Sequence, residues 1–367
     1  MKVVVCPDSF KGTYSASEIA LWITEAIRAI DAGIAVTTMP LSDGGEGFGE
    51  TWNHLHKGVS ITIDSLSATA KPLQSKALLL GNEFGVLECA SSCGLPQVDA
   101  DHDILQATSR GLGIDIRALV ERGVKTIAIG LGGSATNDAG CGALSELGVD
   151  FLNNLEEAFI PTGGTLGNVR TILLDKARTL LHDVELLLYT DVLNPLTGPK
   201  GASRVFAAQK GASAKDIEIL EGNMGSFQKL LHSAGVDTDQ AGMGAAGGIP
   251  AGFSLLPNVT IKSGIEAILD GLGFAQHIRD ADLVITGEGR LDEQSFDGKV
   301  LSGLIDRLRE SRTRLVSLSA TVTLEGLRLA GEHGVECCSL FLPKTPAIRD
   351  VTALKARLQE CVGLILG

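Results

Sequence analysis

Lys76-Ala77-Leu78-Leu79-Leu80-Gly81-Asn82-Glu83-Phe84-Gly85-Val86-Leu87-Glu88-Cys89 decides how the chain is organised. Two apolar runs flank Gly81-Asn82, a pair that favours a tight hairpin turn. An antiparallel hairpin has no place inside a doubly wound parallel sheet, so it marks the entrance to a second domain.

Before the hairpin the rhythm is strand, loop, helix. Val3-Val4-Val5-Cys6 is a short apolar run of the buried parallel-strand kind. Ser15 and Glu18 fit a capping box, and Ile19, Trp22, Ile23, Ala26, Ile27 and Ile30 recur at helical spacing. Ala35–Met39 reads as a strand, a glycine-rich loop follows to Gly47, and a helix runs to about Lys57. Val59–Asp64 reads as a third extended segment.

Beyond the hairpin the spacing predicts a helix over 105–122, a strand over 126–130, a helix from about Asp138, a strand over 185–189 and a helix over 215–234. The alternating rhythm then returns. Strands are expected at 283–286, 315–318 and 337–341, and helices at 300–310, 325–333 and 351–364. Three late strands and two early ones make one five-stranded parallel sheet. The first domain is therefore expected to be discontinuous (1–65 plus 270–367), with 66–269 inserted into it.

Composition narrows the function classes. The net charge of −13 disfavours nucleic acid and anionic membranes as partners. Four apolar residues before Pro7-Asp8 are too few for a signal-peptide core, and no run approaches a membrane span, so a cytoplasmic protein is expected. Seven scattered cysteines without a CxxC pair argue against a disulfide framework and a zinc site. The classical phosphate-loop, protein-kinase and hydrolase signatures are missing. Gly130-Leu131-Gly132-Gly133-Ser134-Ala135 matches a dinucleotide fingerprint, but Asp138 beside the following helix would repel a pyrophosphate.

Polar clusters follow the apolar strands, where open α/β sheets hold their ligands. The first loop carries Asp8 and Lys11, and the second Asp43, Gly44 and Glu46. Gly132, Gly133 and Ser134, with Asn137 and Asp138 behind them, read as a backbone cradle for a phosphate or carboxylate. A tight connection capped by Asn137 or Asp138 is the plainer reading of the same loop. Asp191 follows the strand ending at Tyr189. Glu288, Arg290 and Asp292 stand among glycines, with Gln294, Ser295 and Lys299 close behind.

These residue types suit phosphoryl transfer. Carboxylates at Asp191, Glu288 and Asp292 are candidate Mg²⁺ ligands. Lys11, Arg290 and Lys299 offset phosphate charge or hold a substrate carboxylate, and Asp43 or Asp8 takes the proton of the attacking hydroxyl. The small-residue stretch from Gly242 to Gly252, Gly247 included, reads either as close packing around a nucleotide or as a flexible connection.

The full set of motifs resembles one family, the bacterial type-1 glycerate kinases. The carriers are Pro7–Gly12, Asp43–Gly47, Thr108-Ser109-Arg110-Gly111, Gly132–Asp138, Asp191 with Asn194-Pro195-Leu196, Gln209-Lys210-Gly211-Ala212, Gly244–Gly248, Ser263–Glu266 and Ile285–Lys299. Where the family usually carries Gly this chain has Ala139, and Ala207-Ala208 replace a Gly-Pro pair. The resemblance implies two unlike α/β domains. One is a discontinuous, flavodoxin-like doubly wound sheet, the other an inserted mixed-sheet domain, with the active-site cleft between them. It also implies ATP-dependent phosphorylation of D-glycerate, usually to 2-phosphoglycerate, with ATP and Mg²⁺ as cofactors, and it adds Arg110 and Gly247 to the candidate site. A homodimer is an accompanying expectation. The alternatives are a kinase for a related hydroxy acid and a non-catalytic sugar-acid sensor.

Overall fold

A computed structural model describes residues 1–10, 13–42, 44–45, 47–99, 102–341 and 350–367. Its strands, in chain order, are β1 (Lys2–Val5), β2 (Ala35–Thr38), β3 (Val59–Leu66), β4 (Pro72–Leu80), β5 (Phe84–Glu88), β6 (Thr126–Gly130), β7 (Asp150–Leu152), β8 (Ala158–Phe159), β9 (Thr171–Leu173), β10 (Glu185–Tyr189), β11 (Val259–Lys262), β12 (Leu283–Thr286), β13 (Arg290–Leu291), β14 (Arg314–Ser319), β15 (Thr321–Val322) and β16 (Val335–Ser339). The residues divide into two compact units, Met1–Thr51 with Ser263–Gly367, and Trp52–Lys262.

The first unit is built on a five-stranded parallel sheet in the order β16-β14-β12-β1-β2. Counted along the chain, this is the flavodoxin-like order 2-1-3-4-5, whose ligand crevice opens where the winding reverses. That point lies between β1 and β12. The strands hold there because Val3, Val4, Val5, Leu283, Val284 and Ile285 are almost wholly buried. Each such side chain contributes roughly 1.5–3 kcal/mol on leaving water. The helix Ala16–Ile30 packs Ile19, Ile23 and Ile27 into the same core, and its start is fixed by the Ser15–Glu18 capping box.

The second unit carries the mixed sheet β11-β10-β6-β5-β4-β3. Strands β5, β6, β10 and β11 run parallel, and β3 and β4 are antiparallel additions. The hairpin expected at Gly81 is present, with Leu80 opposite Phe84 and three residues in the turn. Val59–Leu66, read from the strand rhythm as part of the first segment, pairs instead with β4 in this second sheet. The reason is its alternation: only Ile63 and Ser65 are buried, the pattern of an antiparallel edge and not of a central parallel strand.

Three further differences are local. The helix expected from Leu105 starts at Arg110, after a turned segment that brings Thr108 N–H to Ala68 O at 2.9 Å. A small antiparallel sheet, β8-β7-β9, fills 150–173, where no element is expected. Cys338 on β16 and Cys361 on the C-terminal helix Val351–Leu366 form a disulfide, a pairing that the scattered cysteine positions do not suggest. The other five are free.

Candidate active site

The first unit gathers candidate residues at the carboxyl ends of β1 and β12. The Asp8 N–H donates to Gly287 O at 2.8 Å, so the loops after the two switch-point strands touch. Asp8 is buried, and its Oδ1 accepts the Ser9 N–H at 2.7 Å. Lys11, Asp43 and Glu46 lie outside the described residues; Gly44 is described and has a positive φ of 80°.

The loop after β12 is braced from behind. Ala320 N–H donates to Glu288 O at 3.0 Å, and β13 pairs with β15. Ser295, fully buried, donates its hydroxyl to Glu288 Oε2 at 2.9 Å. Asp292 caps the following turn: its Oδ1 accepts the Gln294 N–H at 3.0 Å, and its Oδ2 lies 3.3 Å from Arg290 Nε. Both its oxygens therefore serve its own loop. Lys299 donates to Gln294 Oε1 at 3.1 Å. The Arg290 side chain is 67% exposed, so its charge stays available to a ligand.

The second unit makes its own cluster at the ends of β5, β6 and β10. Leu131 N–H reaches Tyr189 O, Leu95 N–H reaches Gly133 O, and Ala135 N–H reaches Cys93 O, each at 2.8–3.0 Å. Between these anchors the N–H groups of Gly132, Gly133 and Ser134 donate to no protein group among the described residues. Consecutive amides with no protein acceptor are what a backbone anion cradle requires.

Asp138 takes the capping part that the plainer reading of this loop gives it. It is fully buried, and its oxygens accept four bonds, from Ser109 N and Oγ, Gly140 N and Gly142 N. Burial pushes its carboxyl above the usual range, against those bonds. The amides opening the short helix Cys141–Glu146 are thus capped from inside, and the amides without a protein acceptor are those of the loop itself. Asn137 is buried and donates to Ser203 Oγ at 3.0 Å, while its Oδ1 and the Thr136 hydroxyl are buried without a partner. Arg110 opens the helix Arg110–Glu121, with its Nε 2.7 Å from Glu146 Oε1.

The glycines after Gly242 prove to be close packing. A Cβ on Gly244 would lie 2.1 Å from Pro195 O, and one on Gly247 2.1 Å from Thr136 O. This segment thereby braces both the cradle and the loop of Asp191, itself buried at the end of β10. Ala139 holds a φ of 51°, a left-handed conformation unusual for a residue with a Cβ.

One residue was missing from the sequence-derived set. Lys210 is 3% exposed, and its ammonium donates to Ser134 Oγ at 2.9 Å and to Thr136 O at 2.7 Å. Burial lowers its pKa to about 8, while the neighbouring Cys89 and Asp138 work to raise it. Its only sequence signal is membership of the Gln209–Ala212 motif.

Among the described residues, no group of three or more His, Cys, Asp or Glu side chains stands ready to hold a metal, and no helix is long and apolar enough to cross a membrane. The Glycerate kinase family description matches residues 3–362. A glycerate kinase of Bacillus subtilis strain 168 is 33% identical over 366 residues, which cover 98% of this chain and 95% of the relative. A glycerate 2-kinase of Escherichia coli K12 is 35% identical over 342 residues, 92% of this chain and 89% of the relative. The crystal structure of a protein described as glycerate kinase 2 from Salmonella typhimurium LT2 superposes with a TM-score of 0.81 at 32% identity, covering 100% of this chain and 98% of that one.

Proposed function

The chain belongs to the glycerate kinase family, and on that premise we propose that it transfers the γ-phosphoryl group of ATP to a hydroxyl of D-glycerate, giving 2-phosphoglycerate. The observation that carries this reading is the family match over nearly the whole chain. The charged loops at the winding reversal of the first sheet support it independently.

The chemistry asks three things of the protein. A carboxylate must receive the proton of the attacking hydroxyl, and Asp8 or Asp43 is assigned to it. Cations must offset the charge spread over the equatorial oxygens, and Arg290, Lys299 and Lys11 are the candidates for that role. A cradle must hold an anionic group, and Gly132, Gly133 and Ser134 supply its donors. Gly44, Gln294 and Ser295 shape the loops that carry these groups, and Glu46 is a further candidate contact to the substrate.

Mg²⁺ needs only one or two carboxylates beside the phosphates themselves, so hard oxygen donors without a three-residue cluster fit it. Asp191, Glu288 or Asp292 would hold it. The bound ion would neutralise phosphate charge. The need for ATP places the enzyme in the cytoplasm, and a homodimer is its proposed assembly. An ADP-release assay over glycerate, tartronate and other hydroxy acids, with analysis of the phosphorylated position, tests this. Absence of glycerate-dependent ADP release, or a 3-phosphoglycerate product, would overturn the respective part.

A further inference from the structure

We propose that Lys210 is a positioning residue for substrate binding, presenting the Gly132–Ser134 amides to an anionic group, either a nucleotide phosphate or the carboxylate of the hydroxy acid. The kinase reading above supplies the names of the two anions; the role of Lys210 stands on the geometry.

The bonds sort the loop into two sides. Lys210 gathers acceptors, the Ser134 hydroxyl and the Thr136 carbonyl, at 2.9 and 2.7 Å. The three consecutive N–H groups just before them are left without a protein acceptor among the described residues. A loop whose oxygens are drawn to one point keeps its donors free for a ligand.

The charge supplies the second argument. A buried cation is costly unless paired. Lys210 is 3% exposed, yet no carboxylate comes within ion-pair distance of it among the described residues. The titratable groups facing it are the Cys89 thiol of the helix Cys89–Cys93 and the Asp138 carboxyl, with His102 lying against the adjacent Gly211. Burial raises the pKa of both Cys89 and Asp138 and so disfavours their anionic forms. If the only need were to tie two oxygens together, neutral donors would do so at lower cost. An ammonium bonded to the loop that carries these amides gains a counter-charge when an anion lies on the loop.

The test uses Lys210→Met and Ser134→Ala in the full-length protein, with KM for ATP and for glycerate, direct binding of each by calorimetry, and thermal melting. Loss of a charge-assisted bond predicts an affinity about 10- to 100-fold weaker for one of the two substrates, with a smaller effect on the other. A change confined to ATP assigns the anion as phosphate, and one confined to glycerate assigns it as carboxylate. In the wild type the same affinity should also weaken as pH rises through about 8, a dependence that Lys210→Met lacks. If Lys210→Met folds and both affinities match the wild type, the proposal is wrong. If it does not fold, Ser134→Ala decides, and unchanged affinities there overturn the proposal equally. A wild-type protein that binds either substrate without turnover would sink the kinase reading, leaving the Lys210 comparison readable from binding alone.

Discussion

Replacing Gly247 by alanine should damage the second unit, while the same replacement at Gly222 should strengthen it. Gly247 has a φ of 71°, a left-handed conformation that adds roughly 1–2 kcal/mol for a residue with a Cβ. The new methyl would lie 2.1 Å from Thr136 O, 2.8 Å from Thr136 C and 2.7 Å from Asn137 Cα. All three are backbone atoms and cannot swing aside, so overpacking adds about 1–3 kcal/mol. The total of about 2–5 kcal/mol, at about 2–4 °C per kcal/mol for a unit of this size, lowers its melting temperature by about 4–20 °C. The displaced Thr136 carbonyl is one of the two acceptors of Lys210, so substrate affinity should fall as well. Gly222 lies within the helix Ala214–Ser233, with no heavy atom within 4 Å of its would-be Cβ. Alanine there gains about 1 kcal/mol of helix propensity and should raise the melting temperature by a few degrees. Circular dichroism melts of the two variants beside the wild type provide the measurement. A Gly247→Ala protein melting at or above the wild-type temperature would refute the close-packing argument.

Arg290→Ala should remove most glycerate-dependent ADP release without lowering the melting temperature, because the side chain is largely exposed; near wild-type turnover would show that this loop is not in the site. Asp43→Asn should likewise abolish most turnover, judged in the same assay. Asp138→Asn must turn an NH₂ towards at least one of the four donors that the carboxylate now accepts, so denaturant unfolding should show a loss of about 1–3 kcal/mol. The pKa of Lys210 is about 8 in the folded chain, below its unfolded value of roughly 10.4. Between those values the unfolded chain keeps a proton that the native one has released, so stability relative to Lys210→Met should rise with pH across that window. A falling difference in urea unfolding would contradict the burial argument.

The parallel strands of the first unit were readable because each is a short apolar run ending in a polar, glycine-bearing loop, and position at a strand end is what makes those loops candidates. Val59–Leu66 misled because an extended segment does not announce its partner; only the half-buried alternation distinguishes it. β7, β8 and β9 are two or three residues long, too short for any period to register. Lys210 was hidden for another reason. In sequence, Gln209-Lys210-Gly211 carries no chemistry of its own, and the partners that hold Lys210, Ser134 and Thr136, lie more than seventy positions earlier. Asp138 was marked as chemically interesting by its type and neighbours, yet its partner Ser109 lies 29 residues away. The link between Cys338 and Cys361 depends on how the last helix docks, which spacing does not reveal.

The central position of β1 has a consequence for synthesis. Val3–Val5 are made early, but their neighbour on one side, β12, is translated only after the whole of Trp52–Lys262. The inserted unit can close its own core while the opening strand still waits with one edge unpaired, a state prone to association with other nascent chains. Newly made polypeptide therefore matures from the middle outwards, and premature termination before residue 283 strands an apolar β1 without its partner.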